Sequence, residues 1–407
     1  MGNHPGDARA LGPRANMKPN SPDRLIEVFN SVQGAAFFQR LLHEWRNTGA
    51  QVISHQAVSE ADYRTSRGPL GRLVLRWRMY AGYAWLCWRR GRKSRGLSPI
   101  RVVTTNPFFA PALVARATSG HGPTVNLLFD LFPEALIQAG TIGADSWVAR
   151  RCASITRFSL RKCEATVFLG EHLRTYAEAT YGRARIGVVI PVGADGAAFR
   201  QSPPGLLPAG IHPRILYSGQ MGSMHDTATV ASTWPDLRNL RIKWVFHASG
   251  SGYVRLRQSV GEDDAVTWGG ALGDTEWQRT MKEAQVALVT MTPGAEKVVM
   301  PSKTYSAMVA GQALLAICPR SSDLADLVIR HDCGWVVEPG DCVGLRRVVE
   351  IIATDPAGLL LRRRNAFEAG HRYYDMTPIA AQWEQLFARL ASPSGETVTE
   401  ADNPRAA

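Results

Sequence analysis

No stretch of the sequence stays apolar for the roughly 18 to 20 residues that a bilayer-crossing helix needs. The first twenty residues are polar and rich in proline and glycine, without the apolar centre of a secretory leader. Both absences predict a cytoplasmic protein. Cysteine is sparse as well. The six present, at 87, 152, 163, 318, 333 and 342, form no C-x-x-C pair and no Cys/His group at zinc spacing, so they read as plain thiols and no metal site is expected. Acidic residues are outnumbered 35 to 47 by lysine and arginine, a formal net charge of +12. That surplus attracts an anion, but nucleic acid, anionic lipid and a phosphorylated substrate all satisfy it, so where the charge sits matters more than its sum.

What is present is enough for two cores: 407 residues, 45% of them apolar. Residues 1–23, in which Met17 precedes Lys18, are expected to be a disordered extension. From Arg24 onward short apolar runs alternate with amphipathic stretches of helical length, the pattern of a parallel sheet covered by helices. The runs at 25–29, 51–54, 101–105, 124–129, 165–169 and 187–190 give a first unit over 24–200. A stretch rich in proline and glycine, QSPPGLLPAGIHP (201–213), reads as a linker. Runs at 214–218, 243–248, 265–268, 286–290, 313–317 and 334–337 then give a second unit over 214–376. A helix over 377–391, with Trp383 and Phe387 on one face, is long enough to cross back onto the first unit, and 392–407 reads as a disordered tail. The expected fold class is α/β, with two Rossmann-like doubly wound domains facing each other across a cleft. Ligands of such sheets sit beyond the carboxyl ends of the strands.

Two loops after strands carry candidate chemistry. In YSGQMGSMHD (217–226) a strand runs through Gly219 and Gly222 into a helix, which lets backbone approach a diphosphate. A ligand-free glycine turn is the alternative. In VVMPSKTYSAMVAGQALLAI (298–317) Pro301 suits a first helical turn, and Ser302 and Lys303 would place a hydroxyl and an ammonium beside helix-start amides. A plain helix start with a solvated lysine is the alternative there.

The order of these pieces with several others resembles the retaining family 4 glycosyltransferases of the GT-B fold, nearest to the bacterial members with a PSK motif that build exopolysaccharide or O-antigen. The likeness rests on VVTTNPFFAPALVARA (102–117), LLFDLFPEALIQAG (127–140), ATVFLGEHLRTYAEATYG (165–182) and VVIPVGADGAAF (188–199) in the first unit. In the second it rests on YSGQMG, WGGALGDTEW (268–277), MPSK, AGQALLAI and CGWVVEPGD (333–341), so that it spans about 24–390. The resemblance implies transfer of a sugar from a nucleotide sugar, with retention and with neither metal nor cofactor. It puts the diphosphate against Gly219, Gly222, Ser302 and Lys303 and the nucleobase near Gly269 and Gly270, with Lys303 stabilising the leaving group. Where many relatives carry an arginine and a lysine after the first strand of the second domain, this chain has Gln220 and His225. The paired glutamates of the family fall on Val298 and Ser306, with Glu296 nearby, so Ser306 is left to meet the ribose. On the acceptor side Asn106, Asp130 and Glu134 stand at strand ends, and Gln33 and Gly34 follow the first strand in FNSVQGAA. Asp130 is the candidate to touch acceptor or transferred sugar, a helix cap being its other reading. The donor phosphate is expected to take the acceptor proton, so no protein base is required.

One segment stands apart. GRLVLRWRMYAGYAWLCWRRGRKSRG (71–96) holds eight arginines and lysines, five tryptophans and tyrosines, and no acid. It reads as a membrane-surface anchor that brings the enzyme to a lipid-linked acceptor at the inner face of the plasma membrane. A packing helix with a solvated basic face, and a single-stranded nucleic-acid binder, are the competing readings, although no RNP, KH or zinc-finger pattern accompanies the second and no nucleic-acid partner is expected. For the whole chain, the rivals are a non-catalytic nucleotide- or glycan-binding protein of the same fold and a nucleotide-sugar epimerase.

Overall fold

A computed structural model of the protein describes residues 24–32, 36–59, 68–91 and 98–391. The expected extension 1–23, the tail 392–407, Gln33 and Gly34, and the stretch 92–97 of the basic segment lie outside the described residues.

Among the described residues twelve strands form two parallel sheets of six. The first contains β1 (Leu25–Val32), β2 (Gln51–Val58), β3 (Ile100–Thr104), β4 (Thr124–Leu127), β5 (Ala165–Phe168) and β6 (Gly187–Val189), in the order β2-β1-β3-β4-β5-β6. The second contains β7 (Arg214–Gln220), β8 (Lys243–Ser249), β9 (Val266–Gly269), β10 (Val286–Thr290), β11 (Ala313–Ile317) and β12 (Gly334–Val337), in the order β12-β11-β10-β7-β8-β9. Helices cover both faces of such sheets, which is why the central strands are apolar without alternation. Every residue of β3, β10 and β11 is buried.

In each sheet the strand order reverses beside the first strand, at β1/β3 and at β7/β10. Loops leaving opposite ways at these points open a crevice beyond the carboxyl ends.

The two sheets are joined directly. The amide of Leu131, after β4, donates to the Val298 carbonyl of the second domain (3.3 Å). Gln138 Nε2 donates to the Pro293 carbonyl (2.9 Å) and to Thr292 Oγ1 (3.3 Å). The helix Glu171–Tyr181 has Gly170 at its N-cap, so its own sequence supplies no capping side chain. Asp323 of the second domain caps it instead, accepting from the amides of His172 (3.1 Å) and Leu173 (3.3 Å). A Cβ at position 170 would lie 2.1 Å from Asp323 Oδ2, so a larger residue there would have to push the capping carboxylate aside. The closing helix Met376–Ala391 returns to the first domain, where Trp383 and Phe387 each meet the Trp45 ring edge-on at 5.2 Å.

Candidate active site

β7 ends in a loop whose shape follows from three glycines. Gly219 has φ +113° with open space around it, so its backbone conformation is what demands glycine. Gly250 and Gly252, at the end of β8, let that strand end press onto Met221. A Cβ at Gly250 would stand 2.6 Å from the Met221 carbonyl oxygen, and one at Gly252 would stand 2.9 Å from it. Met221 is thereby buried and its amide donates to Ser249 O (2.8 Å), while Gln220 on one side is exposed.

Lys303 reaches this loop from the short helix Lys303–Val309. Its ammonium lies 3.6 Å above the centre of the Tyr217 ring and 3.3 Å from the Gln220 carbonyl oxygen. The same carbonyl accepts from the Tyr217 hydroxyl (2.7 Å). Few partners offset the loss of water, and burial pushes the Lys303 ammonium down to about 7. His225 closes the group: its Nδ1 lies 2.9 Å from the Thr290 carbonyl, and its ring meets the Tyr217 ring edge-on at 5.9 Å. Burial first, and the Lys303 charge second, hold the imidazole down to about 4, so it is neutral at neutral pH. Because Thr290 ends β10 and His225 follows β7, this contact bridges the point where the strand order reverses.

Ser302 is exposed at the helix start and makes no capping bond with its side chain. The amides of Thr304 and Tyr305 turn back on the carbonyls of Pro301 and Ser302 (both 3.2 Å), so the helix-start donors nearest the opening are those of Ser302 and Lys303 themselves. Ser306 is half-buried one turn on. Glu296 is occupied locally, accepting from the Gly294 amide (2.6 Å). The two glycines expected at the nucleobase lie in the same row of strand ends: Ser218, His247 and Gly269 are register partners across β7, β8 and β9. A Cβ at Gly269 would fall 2.4 Å from the His247 ring, and His247 Nδ1 is 3.3 Å from the Gly270 carbonyl.

Across the mouth, the Thr105 hydroxyl ties two strand ends together. It donates to the Asp130 carbonyl (3.3 Å) and accepts from the amides of Phe129 (3.1 Å) and Asp130 (3.3 Å). Exposed Asn106 and half-buried Asp130 are thus neighbours, and Asp130 directly precedes the Leu131 amide bonded to the second domain. Asp130 caps no helix; the next one, Glu134–Gln138, has Pro133 at its N-cap. Burial pushes the Asp130 carboxyl up to about 6. Glu134 differs from its neighbours. Its Oε1 accepts from the hydroxyls of Tyr176 and Tyr181, so this carboxylate fastens helix Glu171–Tyr181 to the loop after β4.

Sequence reasoning passed over Tyr217, His247 and Thr290. Tyr217 sits inside the quoted motif, but as a strand aromatic it carries the signature of a core residue, and His247 ends a strand with no motif around it. Among the described residues no three His, Cys, Asp or Glu side chains are grouped to hold a metal ion.

No protein-family profile matches the chain. A probable glycosyltransferase of Pseudomonas aeruginosa, WbjE, is 23% identical over 270 residues, which are 63% of this chain and 64% of that protein. The match therefore spans less than two thirds of the relative's length. Sucrose-phosphate synthase from Thermosynechococcus elongatus superposes with a TM-score of 0.70 at 15% identity, over 90% of this chain and 99% of its own. The fold is GT-B. A second GT-B structure, HepE of Anabaena in complex with UDP and glucose, superposes with a TM-score of 0.64 at 14% identity, over 90% of this chain and 99% of its own. In GT-B terms, the Lys303 cluster belongs to the second of the two facing domains and Asp130 to the first.

Proposed function

We propose that the protein is a retaining, metal-independent glycosyltransferase that moves a sugar from a nucleotide sugar to a lipid-linked or growing glycan, in cell-surface polysaccharide synthesis at the cytoplasmic face of the membrane. The observation that carries this reading is the position of Lys303. A desolvated ammonium, backed by an aromatic face and beside the glycine loop of β7, stands where two β-strands diverge. Breaking the bond between sugar and diphosphate leaves negative charge on the diphosphate oxygens, and a preorganised cation in a poorly hydrated site stabilises that charge strongly. Neutral His225 and the Gln220 side chain bring no second cation to the loop, so Lys303 bears more of this role than it would beside an arginine.

The nucleobase would lie over Gly269 and Gly270 against His247, and the ribose toward Ser306. On the opposing domain Asn106 and Asp130 would meet the transferred sugar or the acceptor hydroxyl, and the acceptor proton would pass to the donor phosphate, which needs no protein base. The similar proteins lend support, since HepE binds UDP and glucose and WbjE is a probable glycosyltransferase.

The test is release of nucleoside diphosphate from a panel of nucleotide sugars, with the anomeric configuration of the product read by NMR. An inverted product overturns retention. Binding of nucleotide without turnover on any donor and acceptor would favour a non-catalytic binder, the reading to which the missing second cation points.

A further inference from the structure

Residues 68–91 form one helical segment: an α-helix Gly68–Trp77, a π-helical turn Arg78–Gly82 and an α-helix Tyr83–Gly91. Its inner side is anchored by Tyr83 and Cys87, both fully buried among Phe29, Val103, Ala110 and Val114. Its outer side is apolar. Leu70, Leu73, Val74 and Trp77 are spaced i, i+3, i+4, i+7, the spacing of a helix face that ordinarily faces a core. Here they are 72%, 64%, 52% and 65% exposed. Trp85 and Trp88 continue the exposed aromatic surface beyond the π-helical turn.

The charge around this face has one sign. No aspartate or glutamate occurs between Asp62 and Asp130. Arg76, Arg89 and Arg90 are exposed, and the Arg89 guanidinium lies 4.9 Å from the centre of the Trp85 ring. The neighbouring helices extend the basic surface. Tyr83–Gly91 packs on Ala110–Ala117, which packs on Trp147–Lys162, and these carry exposed Arg116, Arg150 and Arg151.

We propose that this segment docks the protein on an anionic lipid bilayer, with the exposed leucine, valine and tryptophan side chains in the headgroup boundary and the arginines on lipid phosphates. An apolar stripe flanked by arginines, on a helical segment too charged to span, is what an interfacial helix requires. Tryptophan suits that boundary because its ring is apolar and its N–H can be solvated. Among the described residues no helix is long and apolar enough to cross a membrane, so contact is with one surface only. The docked face also continues toward the opening between the domains. Tyr80 contacts Phe109 (6.4 Å), Phe109 contacts Phe108 (5.5 Å) and Phe108 contacts Phe132 (5.3 Å), two residues beyond Asp130. An acceptor carried on a hydrocarbon tail would thus have an aromatic track from the bilayer to Asn106 and Asp130. Docking itself needs no turnover, so its test is independent of the proposed reaction.

The experiment is co-sedimentation of the full chain with vesicles of phosphatidylglycerol and phosphatidylcholine, against vesicles of phosphatidylcholine alone. The wild type is expected in the pellet only with the anionic vesicles, with its tryptophan emission quenched by brominated lipid. Replacing Arg76, Arg89 and Arg90 with glutamine should lower the partition coefficient about fivefold for each, roughly a hundredfold together. W77S/W85S/W88S should remove most of the quenching by brominated lipid in a protein that still unfolds cooperatively, since all three side chains are exposed. Equal pelleting with both vesicle types, no pelleting with either, a dimer in solution that the tryptophan variant dissolves, or retention on single-stranded RNA that anionic vesicles do not compete away would each overturn the proposal.

Discussion

The ammonium of Lys303 rests 3.6 Å above the ring of Tyr217, and the hydroxyl of that tyrosine shares the Gln220 carbonyl with it. One aromatic side chain thereby fixes a cation from below and from the side. Because burial holds this ammonium down to about 7, the free protein loses the charge as pH rises above neutrality. At the proposed site a bound diphosphate would supply the missing counter-charge and restore the proton. Nucleoside diphosphate affinity should therefore fall by up to tenfold per pH unit above about 7, and binding at mildly alkaline pH should take up close to one proton. Calorimetry in buffers of different ionisation enthalpy measures that uptake directly; a pH-independent affinity would separate Lys303 from the bound anion.

Asp130 titrates in the opposite sense. Burial pushes its carboxyl from 3.8 to about 6, so the stability it contributes is present at acid pH and is lost as pH rises through about 6. Asp130→Asn, which keeps the shape and removes the charge, should raise stability at neutral pH by roughly 2 kcal/mol and flatten the stability profile between pH 4 and 6. If the carboxylate meets acceptor or sugar, the same variant should lose turnover while nucleotide affinity stays unchanged. Gain of stability with full turnover would make Asp130 a feature of the loop alone.

The contact between Asp323 and the amides of His172 and Leu173 holds a helix of one domain to the other. Asp323→Ala should cost about 1 to 2 kcal/mol, the magnitude of a lost N-cap, and Gly170→Ala should cost at least as much because the new Cβ meets the same carboxylate. Denaturant titration measures the loss. An unchanged midpoint in both variants would mean that the contact adds nothing to the joint between the domains.

The doubly wound fold was legible because parallel strands buried on both faces must be apolar throughout, and runs such as 286–290 and 313–317 admit few other readings. The glycine loop was legible for a related reason: Gly219 adopts a φ that other residues avoid. Other features were hidden because they depend on contacts remote in sequence. Glu134 stands in a motif at a strand end and so reads as a cleft residue, yet Tyr176 and Tyr181 occupy one of its oxygens from a helix some forty positions away. Tyr217 becomes informative only when a lysine 86 positions later is laid across its ring, and His247 only when β9 brings Gly269 beside it. The basic segment was visible as composition; that its apolar stripe faces outward is a fact of packing, fixed by Tyr83 and Cys87 turning inward.

The most direct measurement is turnover by Lys303→Ala on whichever nucleotide sugar the wild type accepts, with nucleotide affinity measured alongside. The cation should be worth about 2.7 to 4 kcal/mol in the transition state, so nucleoside diphosphate release should fall roughly a hundred- to a thousandfold in a protein that still unfolds cooperatively. Release at the wild-type rate, with undiminished affinity for the nucleoside diphosphate, would contradict the assignment of the diphosphate site to Lys303.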